Sequence, residues 1–174
     1  MTAAVALVAE RGTADVPVSD IADAADVSRR LVYQQFGDRD TLLLEAALDL
    51  ARRDVLPHVA DGGDGRGRAL ALAEHMATHR AFYRALLTGS CAFALSRAFK
   101  ELFLPVNREA VRAVYGRRLD ARTVEDLAAF LTGGWGEFIH TWVVEGPEPL
   151  DAEEFTDRLM RTATALLDQG EAHD

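Results

Sequence analysis

Apolar side chains recur three and four residues apart through most of this chain, the spacing that lines one face of a helix. Ala4, Leu7 and Val8 share a face of a short helix over residues 3–11, ended by Gly12. Leu42, Leu43, Ala46 and Leu50 form the buried stripe of a helix that starts near Arg39 behind an Asp38 cap, with Asp49 and Arg53 paired on the wet side and Pro57 bending or ending it. Leu72, Met76, Tyr83, Leu86 and Leu87 make an apolar series up to Gly89, with a break near His79. Phe93, Phe99 and Phe103 belong to a segment over 90–115 that Pro105 should kink and Gly116 should close. Asp120 opens a long helix to about Glu145, Gly146-Pro147 stops it, and Asp151 with Glu154 makes a capping box for a last helix over 151–169. No strand alternation, internal repeat or coiled-coil heptad is present, so the expected fold is all-α.

Within this series the stretch Pro17 to Arg39, PVSDIADAADVSRRLVYQQFGDR, reads as two short helices joined by a tight turn. The first runs from about Val18 to Ala25, with Pro17 tolerated where no intrahelical N–H is lost. Asp26 takes the turn, being one of the few residues other than glycine that enters the left-handed region at modest cost. Ser28 then caps the second helix. At about 100° per residue, Val32 and Phe36 fall on one side of that helix, where Ile21, Ala22, Ala25 and Val27 can close a small core with them. Ser28, Arg29, Arg30, Tyr33 and Gln34 are left outside. Arg and Gln can make paired hydrogen bonds to base edges, while Ser, Tyr and helix N-termini commonly hold phosphates.

The order V-S-D-I-A-x-A-x-x-V-S-x-x-x-V-Y-x-x-F-x-x-R-D-x-L-L closely resembles the DNA-binding region of TetR-type transcriptional regulators, over roughly Ala3 to Ala47. The resemblance implies an N-terminal three-helix helix-turn-helix unit followed by a larger helical ligand-binding and dimerisation bundle. It also implies that Ser28, Arg29, Arg30, Tyr33 and Gln34 contact DNA from the recognition helix, that Arg39 grips a phosphate from the next helix start, and that Ser19 meets a phosphate from the preceding helix. Three departures stand out: Asp26 and Arg30 where the family usually has Gly, and Leu31-Val32 where it usually has Thr-Leu. Arg30 adds a bulky charge and Leu31 an apolar contact to the groove-facing surface, which changes the expected operator and leaves the binding mode intact. The family's first helix is longer and follows a basic arm, so either the true start lies upstream or phosphate contacts are missing here.

ADGGDGRG, residues 60–67, holds four glycines in eight residues and is the clearest flexible break. The functional boundary is nonetheless expected near residue 50, giving a DNA-binding domain over 1–50 and a ligand-binding and dimerisation domain over 51–174, because a helix shared between two units transmits motion. Gly133, Gly134 and Gly136 would each cost about 1 kcal/mol against Ala inside a helix. That cost implies either tight packing within the monomer or, as the resemblance also suggests, a homodimer interface made by helices 121–145 and 151–169.

A chain of 174 residues with 49% hydrophobic content and five prolines suits a packed helical protein. Its net charge of −9 is unusual for a DNA binder until divided: residues 1–119 carry 16 Lys and Arg against 15 Asp and Glu, whereas residues 120–174 carry 3 against 13. Within Ser28–Arg39 the balance is +2, so the local field suits DNA while predicting few phosphate contacts. No apolar run reaches the ~18 residues of a membrane span and the N-terminus lacks a secretory pattern, which points to a soluble, cytoplasmic protein. A single cysteine, Cys91, excludes an intrachain disulfide and a multi-cysteine zinc site.

Phe99, Phe103, Phe130, Trp135, Phe138 and Trp142, with Tyr83 and His79 as orienting polar groups, outline an effector pocket, although aromatics at helical spacing also fill plain cores. His75 and His79 lie i,i+4 on one face, a spacing that could bind metal; Glu74 is on another face and no HExxH motif exists, so no metal or cofactor is assigned. No GxSxG, P-loop or Rossmann glycine pattern occurs, and no enzyme is expected. Two readings follow. One is a ligand-responsive regulator, a repressor released from a palindromic DNA operator by a small molecule; the other is a helical ligand- or partner-binding dimer with a degenerate helix-turn-helix.

Overall fold

The computed structural model describes residues 1–60 and 64–167. Ten α-helices and one 3-10 turn make up the described residues, with no strand among them: α1 Thr2–Arg11, α2 Val18–Ala24, α3 Arg29–Phe36, α4 Arg39–Asp54, α5 Leu56–Ala60, α6 Gly65–Thr78, α7 Arg80–Leu87, α8 Ala92–Tyr115, α9 Ala121–Glu145 and α10 Ala152–Leu167. An N-terminal helix-turn-helix unit is followed by a larger helical bundle.

Local chemistry accounts for most boundaries. Asp38, Asp120 and Asp151 accept backbone N–H bonds from Thr41, Thr123 and Glu154 at 2.7, 2.8 and 2.9 Å, so three helices start on carboxylate caps. Gly12 closes α1 in the left-handed region at φ 64°, its N–H bonded to Val8 O. His79 separates α6 from α7, the break expected there. Pro105 lies inside α8 on its exposed side and removes only its own bond to the preceding turn.

The glycine-rich stretch corrects the expected flexible break. Residues 61–63 lie outside the described residues, but Gly65 and Gly67 belong to the first turn of α6, where Asp64 accepts the Gly67 N–H at 2.6 Å. A Cβ at residue 67 would stand 3.0 Å from that capping oxygen, so the glycine lets the cap come close.

The larger of two cores among the described residues ties the first four helices to the bundle. It joins Ala4, Val8, Ile21, Ala22, Val32, Leu42 and Leu43 of the first four helices to Met76, Phe82, Tyr83, Leu86, Leu95, Trp142 and Phe155. Tyr83, Phe82 and Phe155 are its largest fully buried side chains, each contributing about 1.5–3 kcal/mol by burial. Helix α1 packs on α7, α8 along α9, and α10 on α6. A second small cluster of Val111, Val124 and Ala128 fixes the far end of α8 against α9. Nearby, Asn107 Nδ2 donates to Thr132 Oγ1 at 2.9 Å, which itself donates to Ala128 O.

Arg80 ties the C-terminal end of α9 to α7. Its guanidinium donates to Val143 O, Gly146 O and Pro147 O at 3.0, 2.6 and 2.9 Å and pairs with Glu148. Val143 O lies in the last turn of α9, where carbonyls lack intrahelical partners, and the Gly146 and Pro147 carbonyls follow it just past the helix end. The glycines of α9 behave differently from one of the two expectations: a Cβ at residue 133, 134 or 136 would meet nothing within 4 Å, so tight packing inside the monomer does not explain them.

Candidate nucleic-acid interface

The turn between α2 and α3 is built from backbone geometry that the sequence encodes locally. Asp26 sits at φ 53° and is the only residue other than glycine with positive φ among the described residues. Its N–H bonds to Asp23 O at 3.2 Å while the Val27 N–H reaches back to Ala22 O at 3.0 Å, the doubled C-terminal bonding that usually employs glycine at this position. Ser28 then caps α3, its Oγ accepting the Leu31 N–H at 3.2 Å. The turn thereby sets the angle at which α3 leaves α2.

Val32 is buried against Ile21 and Ala22, and Phe36 is half-buried on the same core. Ala25 and Val27 do not join them: Ala25 is exposed and Val27 is 37% exposed. The correction has a simple cause. Both residues fall in the turn after α2, where the chain has left the helical face that carries Ile21 and Ala22 inward.

On the opposite side, Ser28, Arg29, Arg30 and Gln34 are exposed, with Leu31 50% and Tyr33 53% exposed. This is a continuous outward face on one helix of eight residues, left exposed by the described residues. Ser19 is half-buried on α2 and its hydroxyl donates to Asp20 Oδ1 at 3.0 Å. Asp20 is also bonded to Arg11, whose guanidinium 2.7 Å away holds the carboxyl below its usual range.

Arg39, at the start of α4, is half-buried and is held between two carboxylates, Asp15 and Asp40, the latter at 3.1 Å. Burial works against its charge, but the hydrogen bonds to Asp40 and Asp15 outweigh it and raise its pKa further. A phosphate approaching Arg39 therefore competes with Asp15.

The aromatic residues named for an effector pocket divide into two groups. Tyr83 is fully buried and meets Phe99, which meets Phe103, with ring centroids 5.9 and 6.0 Å apart. Trp135 and Phe138 meet edge to face at 6.5 Å on α9, whereas Trp142 stacks on Phe155 at 4.1 Å within the core. A cleft of about 450 Å³ lies elsewhere, lined by Asp54, His58, Gly67, Leu70, Ala71, Glu74, His75, Thr78 and His79. Of the eight side chains named for the pocket, only His79 lines it.

In that cleft the structure adds a residue that sequence spacing missed. Asp54 Oδ2, at the end of α4, lies 3.6 Å from His75 Nδ1 and 3.8 Å from His79 Nε2. Glu74, the acid adjacent in sequence, is not part of this cluster. His75 is buried, and burial followed by the neighbouring His79 pushes its pKa down to about 4, against the pull of Asp54. His79 is lowered in the same direction, chiefly by burial. On its other side His75 Nε2 is 2.8 Å from Tyr83 Oη, and Tyr83 donates onward to Ala47 O at 3.5 Å. No residue pattern along the chain announces Asp54; only the packing of α4 beside α6 brings it there.

Residues 1–46 match the model of the bacterial regulatory proteins, tetR family. No curated protein sequence matches the chain. Among solved structures, the chain is similar in fold to the TetR family repressor AlkX from Dietzia sp. Strain DQ12-45-1b, implicated in biodegradation of n-alkanes, with 20% identity, a TM-score of 0.59, and coverage of 95% of this chain and 94% of that one. None of the described helices is long and apolar enough to cross a membrane.

Proposed function

We propose that the chain, whose residues 1–46 match the model of the bacterial regulatory proteins, tetR family, is a DNA-binding transcriptional regulator, a homodimeric repressor released from a palindromic operator by a small molecule. The bare outer face of α3 carries this reading. Arg29, Arg30 and Gln34 stand in solvent with Tyr33 and Leu31 between them, on a helix narrow enough to enter a major groove. Arg30 and Gln34 read base edges, Leu31 lies against a thymine methyl, and Ser28, Tyr33 and the N-terminus of α3 hold phosphates. Ser19 and Arg39 add phosphate contacts from the flanking helices, Arg39 by exchanging Asp15 for the DNA backbone.

The DNA-binding domain is assigned to residues 1–50 and the effector and dimerisation domain to 51–174. Two copies join through α9 and α10. Phe130 supports this assignment: it is 66% exposed beside Gly133 and Gly134, whose Cβ positions face open space, so a second copy can approach the backbone there. A two-fold dimer presents two recognition helices one helical turn apart on DNA. The effector is assigned to the half-buried aromatic wall of Phe99, Phe103, Trp135 and Phe138, with Trp142 behind it and His79 and Tyr83 orienting polar groups. It acts by preferring a dimer whose recognition helices are wrongly spaced.

The test is retardation of DNA from the protein's own promoter region. Wild-type protein should retard it, less strongly as salt rises, and Arg30→Ala or Tyr33→Ala should weaken retardation while leaving the folded dimer intact. Equal retardation by both variants and wild type would remove α3 as the reading helix. Phe130→Asp should sediment as a monomer and lose operator binding with it.

A further inference from the structure

We propose that Asp54, His75 and His79 bind a divalent first-row transition metal, of which zinc is the simplest example, leaving one coordination position open to the adjoining cleft. The three donor atoms, one carboxylate oxygen and two imidazole nitrogens, lie within 4.8 Å of one another. Ligands about 2.0–2.1 Å from a tetrahedral ion stand roughly 3.4 Å apart, and Asp54 Oδ2 already stands 3.6 and 3.8 Å from its two histidine partners. The Asp54 pairs need only a few tenths of an ångström, and the two histidine nitrogens, within 4.8 Å of each other, close by at most about 1.4 Å through side-chain rotation.

Behind His75, Tyr83 Oη lies 2.8 Å from the ring's Nε2 and 3.5 Å from Ala47 O. With Nδ1 on an ion, the Nε2–H donates to Tyr83 Oη. Nδ1 faces the Asp54 carboxylate at 3.6 Å, with the histidine side chain 3% exposed. The arrangement also matches the outer-shell support that metal-ligating histidines need, in which the far ring nitrogen is tied down to fix tautomer and orientation.

Two histidines four residues apart face the same side across the α6–α7 break, and the third ligand comes from α4. Two imidazoles and a carboxylate suit zinc, cobalt, nickel or ferrous iron better than calcium or magnesium, which prefer oxygen. The fourth position opens on the 450 Å³ cleft, where His58, Glu74 and Thr78 line the approach. Three protein ligands with an open position admit water or a chelating small molecule. The bound ion would tie the C-terminal end of α4 to α6 and α7, while the other end of α4 packs against α3.

The experiment uses the full chain stripped with chelator and then titrated with Co²⁺, with Zn²⁺ in competition against a chromophoric chelator. Wild-type protein should show visible cobalt d–d absorption saturating at one equivalent per chain, displaced by Zn²⁺, with melting raised by either ion. Asp54→Asn and His79→Ala, both at partly exposed positions, should keep their metal-free melting but lose the absorption and bind at least tenfold more weakly. Tyr83→Phe should bind about 10–100-fold more weakly with all three ligands present. Binding equally strong in wild type, Asp54→Asn and His79→Ala would assign the ion to other histidines and overturn the site, as would a wild type that binds none. DNA is absent throughout, so neither result bears on operator binding.

Discussion

Helix α3 and the histidine cleft handle polar side chains in opposite ways. In α3 the chain keeps Arg29, Arg30, Tyr33 and Gln34 in water and uses Val32 and Phe36 to hold the helix in place. In the cleft it brings Asp54, at the end of α4, against His75 of α6 and His79 at the α6–α7 break, with His75 buried, His79 half-buried and Asp54 exposed. Exposed groups cost the fold little and wait for a large, charged partner. Buried groups that face one another carry a desolvation cost that only a small, specific partner relieves. A substitution should therefore separate stability from binding in the first region and, in the second, couple them only at the buried His75.

The largest stability effect should come from the shared core, away from both surfaces. Phe155 is fully buried on α10 and stacks on Trp142 of α9. Phe155→Ala removes that contact and leaves a cavity, costing about 3–5 kcal/mol, which a shift of the urea midpoint would report. An effect under about 1 kcal/mol would mean that α10 contributes little to the core.

On α3 the same measurement should give almost nothing. Arg30→Ala and Tyr33→Ala should each change stability by no more than about 0.5 kcal/mol, yet cost about 1–3 kcal/mol in specific DNA affinity where a base contact is lost. Equilibrium unfolding and operator titration on the same preparations read both numbers. A variant that loses both together would show Arg30 or Tyr33 to be part of the scaffold, and the contrast between the regions would fail.

Which parts were legible in the sequence follows from the same contrast. Most features that depend on a few consecutive residues could be read: the Asp38, Asp120 and Asp151 caps, the Ser28 cap, the left-handed turn at Asp26, and the break at His79. The outward side chains of α3 were equally legible, since helical period alone separates them from Val32. Ala25 and Val27 were misplaced because a periodicity argument was carried past the end of α2. Gly65 and Gly67 read as a break because composition hides what one capping Asp does to a first turn. Asp54 was not legible at all: it meets His75 only after α4 and α6 have packed. The Arg80 network is of the same kind, a side chain of α7 meeting carbonyls more than sixty residues later.

A subtler effect concerns Arg39, where the two strategies overlap. Its guanidinium is exposed enough to reach DNA but is paired with Asp15 and Asp40. Asp15→Asn removes one competing carboxylate, so Arg39 becomes freer to neutralise a phosphate. Nonspecific DNA affinity should rise, and the slope of log affinity against log salt should steepen by about one. An unchanged slope would leave Arg39 as a helix-start brace for α4, with no share in the DNA contact.

The smallest expected effect tests whether the turn itself carries strain. Asp26 occupies the left-handed region at φ 53°, and such a conformation costs an ordinary residue roughly 1–2 kcal/mol. Asp26→Gly removes that cost and in exchange gives the unfolded chain more freedom. The backbone bonds of Asp26 and Val27 to Asp23 and Ala22 use no side-chain atom, so they survive the change. The difference should leave the variant more stable by about 0.5 kcal/mol, seen as a small rise in melting temperature with operator affinity unchanged. A loss of stability would mean that the Asp26 side chain holds the turn through a contact of its own, and the angle between α2 and α3 would then depend on that carboxylate as well as on backbone geometry.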